Sequence, residues 1–200
     1  MSSLCLTYIS SSLLYSVPRN CRFEVDDVED EWTYTNKFDY VHGRLLFSCF
    51  IDSASVINKA FVALNPGGYL ELQDSLPLTC LDGSWNGKAI QRWIDLVLEG
   101  ARNLGMDWAK VGRYKQWMED AGFVDIQEES FEWPSSTWPK GKHHKLLGKL
   151  ANKNISMGLH GVSIEVLTAG CGMSPAEVES LLEDVKKDLC DRATHCYAPM

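Results

Sequence analysis

Residues 21–25, Cys-Arg-Phe-Glu-Val, alternate apolar and polar side chains until acids interrupt them, which predicts a short strand at Cys21–Val25. Asp26, Asp27, Glu29, Asp30 and Glu31 follow as an acidic loop. A second strand is expected at Phe38–His42, closed by Gly43 and Arg44. Asp52 or Ser53 then caps a helix whose apolar positions Val56, Ile57, Ala60, Phe61 and Leu64 share one face at the 3.6-residue period. Asn65-Pro66-Gly67-Gly68 should stop that helix, since Pro lacks an N–H and Gly accepts a left-handed turn. A third strand follows at Tyr69–Gln73. Strand, helix, strand is the rhythm of a βαβ unit, so the expected architecture is a parallel sheet flanked by helices. Phe23, Val25, Tyr40, Leu70 and Leu72 are its expected interior.

Helical periodicity dominates the remainder. One stripe carries Ile90, Trp93, Val97, Ala101 and Leu104, and another carries Val111, Tyr114, Trp117, Met118 and Ala121 before Gly122. Phe123–Gln127, extending towards Trp133, reads as a further strand, with Pro134 and Pro139 bracketing a turn-rich link. A helical region broken by glycines is expected from Lys142 to Leu167. Ser174-Pro175-Ala176-Glu177 is a capping box with Pro at the first helical position, and Val178, Leu181, Leu182, Val185 and Leu189 supply the buried face behind it. Thr194–Met200 closes the chain as a strand-like segment.

Composition narrows the options. Two hundred residues suit one globular core. The 27 acids against 19 Lys and Arg give a net charge of −8, a field that repels phosphate backbones, so nucleic acid is not an expected partner. The basic stretch Lys140–Lys145 reads as a solvated helix start. No apolar run approaches the roughly 18 residues that cross a bilayer, so no membrane partner is expected. Seven cysteines without a Cys-x-x-Cys pair indicate neither a zinc site nor a disulfide framework, and no metal is expected. Free thiols point to a reducing intracellular compartment, cytoplasmic or nuclear.

Four segments then occur in order: 23–32 (FEVDDVEDEW), 38–44 (FDYVHGR), 64–72 (LNPGGYLEL) and 117–125 (WMEDAGFVD). Together, from Pro18 to Met200, they resemble the second half of a Rossmann-like (class I) S-adenosylmethionine-dependent methyltransferase, of the kind related to fungal secondary-metabolism regulators. The resemblance implies an α/β fold: a Rossmann-like methyltransferase sheet, N-terminally truncated, with helices packed on it. Residues 1–17 would be a non-family segment and residues 18–200 a partial methyltransferase domain. The implied activity is methyl transfer from S-adenosylmethionine to a small-molecule or protein acceptor. The alternative is a degenerate, non-enzymatic binding or regulatory protein. The family's Gly-x-Gly-x-Gly loop, which approaches the methionine portion of the cofactor, has no counterpart in these residues, and Met1–Val17 contains no glycine. Weak cofactor binding is the expectation.

The same resemblance assigns residues. Asp27 matches the position whose carboxylate accepts a hydrogen bond from the adenine amino group, with Val28 beside it; the competing reading is a solvated acidic loop. His42, at the strand's carboxyl end, is the candidate catalytic residue, orienting or deprotonating the acceptor, or else a satisfied strand-end histidine. Arg44 is a candidate clamp for an acceptor carboxylate, or a partner for acids within the protein. Trp138, with Trp133, would cover the acceptor pocket, whereas Trp93 and Trp117 lie on core stripes.

Overall fold

Residues 38–73 form the βαβ unit that the two periodicities imply. In the computed structural model, which describes residues 3–6 and 20–200 (the first stretch, Arg22 and Phe23 by backbone alone), β3 (Phe38–Arg44) leads through α1 (Ser53–Ala63) into β4 (Leu64–Gln73). The strands pair in parallel, from Tyr40 opposite Tyr69 to Arg44 opposite Gln73. Asp52 is the cap of α1, its carboxylate accepting the Ser55 N–H at 3.0 Å. The helix then passes directly into β4, so Asn65–Gly68 is a bulge within the strand rather than a separate stop. Between the Phe38–Leu64 and Tyr40–Tyr69 pairs, β3 advances two residues while β4 advances five. Gly67 takes φ +82° there, and a Cβ on Gly68 would stand 3.1 Å from the Asp39 carbonyl oxygen. Strand β3 does not close at Gly43; it runs to Arg44, and Leu45 at φ 54° turns the chain.

The sheet interior differs from expectation. Val25 and Tyr40 are 84% and 51% exposed, and Leu70 and Leu72 are half-buried. The Phe23 side chain lies outside the described residues. Period-two geometry explains the pattern, because Tyr40, His42 and Arg44 share one face with Tyr69, Glu71 and Gln73, and that face is open. The dry core is helical instead. Ile90, Trp93, Val97 and Ala101 of α2 (Ala89–Asn103) pack with Leu159 of α4 (Lys142–Glu165) and with Val178, Leu182, Val185 and Leu189 of α5 (Pro175–Cys190). Inside it the Trp93 indole donates to Ser163 Oγ at 2.8 Å, which confirms Trp93 as a packing residue.

Helix α4 is continuous through its glycines. Gly148 is required by close packing, since a Cβ there would lie 1.9 Å from the Ser136 carbonyl oxygen. The helix ends in a wider π turn, Val166–Gly170, where Gly170 meets the backbone of Gly100 on α2. The capping box of α5 is formed: Ser174 Oγ accepts the Glu177 N–H, and Glu177 accepts the Ser174 N–H at 2.8 Å. The start of α2 has no side-chain cap of its own; Asp188 of α5 accepts the Ile90 N–H at 3.0 Å.

A 3₁₀ turn, Lys110–Arg113, leads into α3 (Tyr114–Ala121), which ends at Gly122 with φ +102°. Residues 123–127 are not a strand. Asp125 adopts φ 54°, which breaks the extension, and the Phe123 ring packs edge-on against Phe61 at 4.9 Å. The strand appears further on as β5 (Glu132–Pro134), antiparallel to β6 (Tyr197–Pro199). The chain leaving β4 also bonds β6, through Leu76 to Pro199 and a Thr79–Tyr197 bridge.

Residues 1–35 and 36–200 are two compact units. In the first, β1 (Ser3–Leu6) pairs in parallel with β2 (Cys21–Glu24). Apart from 3–6, the segment 1–17 lies outside the described residues. Among the described residues no helix is long and apolar enough to cross a membrane.

Candidate functional site

Open α/β sheets bind ligands beyond the carboxyl ends of their strands, and here those ends are fastened together. After Leu45 reverses the chain, the Leu46 N–H donates to Asp74 Oδ2 at 3.0 Å, tying the loop after β3 to the residue that follows β4. The Tyr114 hydroxyl donates to the same oxygen at 3.0 Å, and Ser75 N–H donates to Oδ1 at 3.1 Å. Asp74 is only 8% exposed, and this burial pushes its carboxyl above the ordinary carboxylate range despite its donors. Burial first, and the Asp74 charge second, push the Tyr114 hydroxyl upward as well. Lys110 is also buried; its ammonium donates to the Phe50 carbonyl and stands 5.9 Å from the Phe50 ring centre. Beside this loop a cavity of about 350 Å³ opens between Phe47, Trp108 and Val166.

His42 lies on the open sheet face. Its Nδ1 is 3.2 Å from Glu71 Oε2 and 3.3 Å from the Tyr40 hydroxyl oxygen, and Tyr40 donates to that same Glu71 oxygen. Gln73 donates to the other Glu71 oxygen at 2.8 Å. The bond from Tyr40, then that from Gln73, hold the Glu71 carboxyl below its ordinary range. His42 is therefore an oriented imidazole beside a carboxylate, able to bind or relay a proton. Arg44 is exposed on the same face and pairs with no acid among the described residues.

Trp138 stands elsewhere. Its indole donates to the Cys196 carbonyl at 3.0 Å, and its ring lies 5.0 Å from that of His195. His195 Nδ1 is 2.5 Å from Asp82 Oδ2, a bond that more than any other holds the Asp82 carboxyl below its ordinary range. Trp138 makes no hydrogen bond or ring contact with His42 or Arg44.

In the first unit, Asp27 is exposed, and its Oδ1 accepts the Glu29 N–H at 2.8 Å, forming a side-chain-capped turn. Val28 is half-buried, and its carbonyl accepts the Trp32 indole N–H at 2.9 Å. The Trp32 ring meets Tyr34 edge-on at 5.6 Å. Among the described residues no group of three or more His, Cys, Asp or Glu side chains converges as a metal site.

Asp74, Lys110 and Trp108 escaped the pattern reading. An acid directly after the third strand was the available signal for Asp74; a lysine or tryptophan flanking a short turn carries none.

Residues 6–128 match the family described as a methyltransferase domain, a range that includes the whole β3–α1–β4 unit and part of the segment 1–17. Probable methyltransferase tdiE of Emericella nidulans is 30% identical over 88% of this chain and 56% of its own length. Methyltransferase pytC of Aspergillus terreus is 28% identical over 89% and 56%. Secondary metabolism regulator LAE1 of Cochliobolus heterostrophus is 28% identical over 90% and 61%. The chain thus spans little more than half the length of these curated relatives. It belongs to the family of S-adenosylmethionine-dependent methyltransferase domains, in the group that includes these fungal secondary-metabolism regulators.

Proposed function

We propose that this chain serves methyl transfer from S-adenosylmethionine to a small-molecule or protein acceptor. The acceptor would be received at the carboxyl ends of β3 and β4. The observation that carries the reading is the parallel β3–α1–β4 unit within the matched residues, with its two strand ends joined through Asp74. Asp27 would accept from the adenine amino group beside Val28, and His42 would orient or deprotonate the acceptor with Glu71 behind it. Arg44 would clamp an acceptor carboxylate, and Trp138 would cover bound substrate from the β6 side. S-adenosylmethionine would supply an electrophilic methyl on a sulfonium, so positioning rather than a strong base would govern the rate. Relatives named as secondary-metabolism regulators, and described cysteines that are all free, favour an intracellular setting, cytoplasmic or nuclear.

Because residues 1–200 contain no Gly-x-Gly-x-Gly, this chain by itself should bind the cofactor weakly. Calorimetric titration with S-adenosylhomocysteine tests this. The expected result is no tight site in residues 1–200, and binding restored when a family-type Gly-rich segment is supplied upstream. In that binding-competent form Asp27→Ala should weaken affinity by about 1–3 kcal/mol, the scale of an unpaired buried donor. Tight binding by residues 1–200 would refute the loop argument. Equal affinities of parent and variant would remove Asp27 from the site. A degenerate, non-enzymatic binding protein is the second reading, favoured by the open sheet face with Tyr40 51% and Tyr69 73% exposed. It would prevail if cofactor binding stayed absent after the upstream segment was supplied.

A further inference from the structure

Two cysteines 116 positions apart in the chain face one another where β6 meets the segment that leaves β4. Thr79 and Tyr197 form an antiparallel bridge there and exchange both hydrogen bonds. The Thr79 N–H donates to the Tyr197 carbonyl at 2.9 Å, and the Tyr197 N–H donates to the Thr79 carbonyl at 3.0 Å. In antiparallel pairing the next residue on one strand meets the preceding residue on the other, so Cys80 stands opposite Cys196. Because Thr79 and Tyr197 are the hydrogen-bonded pair, the cysteines are the adjoining non-hydrogen-bonded pair, in which Cα atoms approach to about 4.5 Å and the side chains lie closest. A disulfide spans Cα separations of about 4.4–6.8 Å, so this position lies within its reach. The thiols also interact directly: burial first, then the charge and hydrogen bond of Cys80, push the Cys196 thiol up to about 12. Both cysteines are free; Cys80 is half-buried and Cys196 is fully buried. Cys80 is held in place by its neighbours, its thiol donating to Asp82 Oδ1 at 3.2 Å and lying 3.2 Å from Ser84 Oγ.

We propose that Cys80 is an oxidative modification site that reacts with a small disulfide and passes the oxidation to Cys196, closing a reversible Cys80–Cys196 bridge. The Cys80 thiolate attacks one sulfur of a low-molecular-weight disulfide such as glutathione disulfide. A bond from Cys80 to glutathione forms, the S–S bond of the reagent breaks, and one glutathione thiol leaves. Cys196 then attacks the Cys80 sulfur and expels the second glutathione, which takes up the proton that Cys196 gives up. Two protein thiols are thereby oxidised, and one reagent disulfide is reduced to two thiols. Cys80 opens the sequence because it is the accessible member of the pair. The raised Cys196 thiol makes the second step the slower one, and its contact with the target sulfur offsets this. The bridge closes a long loop and so restrains the unfolded chain, while fastening β6 to the segment after β4. It also withdraws the Cys80 donor from Asp82, the acid that holds His195.

Incubation of the reduced, folded chain with glutathione disulfide tests this without cofactor or methyl acceptor. Remaining thiols are alkylated in denaturant, and unreduced peptides are mapped by mass spectrometry. The expected product is a Cys80–Cys196 cross-link, lighter than the two thiols by two hydrogens and reversed by dithiothreitol. The melting temperature should rise with the bridge by roughly 5–10 °C and return on reduction. Cys196→Ala should stop at Cys80 carrying glutathione, Cys80→Ser should leave Cys196 unmodified, and neither variant should show the rise. Because the map is made on the parent chain, it decides the bridge even where a variant fails to fold. Cys80 left unmodified, or carrying glutathione beside a Cys196 that still alkylates, would overturn the bridge. Glutathione on Cys196 in folded Cys80→Ser would overturn the order of attack, and a melting temperature unmoved by the cross-link would overturn the restraint.

Discussion

Asp74 is a carboxylate in a place that withholds water, and its donors, among them Leu46, Ser75 and Tyr114, only partly compensate it. Its folded pKa lies above the ordinary value because of burial, so its contribution to stability is fully present below the unfolded pKa. That contribution is lost as pH rises through the raised folded value. Asp74→Asn removes the titration and leaves one donor poorly matched. The variant should therefore be most destabilised relative to the parent near pH 4, with the gap narrowing towards about pH 7. Urea unfolding across that range measures it, and a gap that widened with pH would show that Asp74 is stabilised as the anion. Residues of this kind are hard to read from pattern alone. Asp74 and Lys110 look like surface charges in a hydropathy profile, and only the loop that folds over them removes the solvent. Asp27 and His42 are proposed from motif positions alone, whereas the Glu71 and Tyr40 partners of His42 come from strand register.

Helix α4 shows two physical effects competing at chemically identical positions. Replacing Gly by Ala in a helix interior gains roughly 0.5–1 kcal/mol from backbone entropy. At Gly158 a Cβ meets nothing within 4 Å, so Gly158→Ala should stabilise the protein by about that amount. At Gly148 the same methyl would sit 1.9 Å from the Ser136 carbonyl oxygen, and backbone cannot yield as a side-chain tip can. Gly148→Ala should therefore destabilise by about 1–3 kcal/mol, and denaturant midpoints of the two variants should move in opposite directions. Glycines here suggested breaks in the helix to a sequence reading, because propensity is local and the contact with Ser136 is not. The amphipathic stripes of α2 and α5 were legible for the opposite reason: their 3.6-residue period is written in consecutive residues. Residues 123–127 misled, since alternation cannot reveal the left-handed turn at Asp125 or the claim that Phe61 makes on Phe123.

Across the whole of residues 36–200, the parallel β3–α1–β4 unit was legible, but the location of the densest core was not. Periodicity says which face of an element is apolar, not which other element covers it. The expected buried sheet became an open face, and helices α2, α4 and α5 hold the core. One bond across that core has a measurable role. Asp188→Ala should strip the cap from the Ile90 N–H and lower stability by about 1 kcal/mol, on the scale of other lost helix caps, in urea titration. Hydrogen exchange should quicken most at the start of α2, and protection unchanged there would show that the carboxylate is not what secures it.

That same bond sets an order of events during synthesis. Ile90 leaves the ribosome 98 residues before the carboxylate that completes its helix. Until then, the first turn of α2 has an exposed donor and an apolar stripe with nothing to lie against, the condition in which nascent chains associate wrongly. A translational pause between these two positions would lengthen that exposure, and a chaperone that shields apolar helices would act most usefully in this interval.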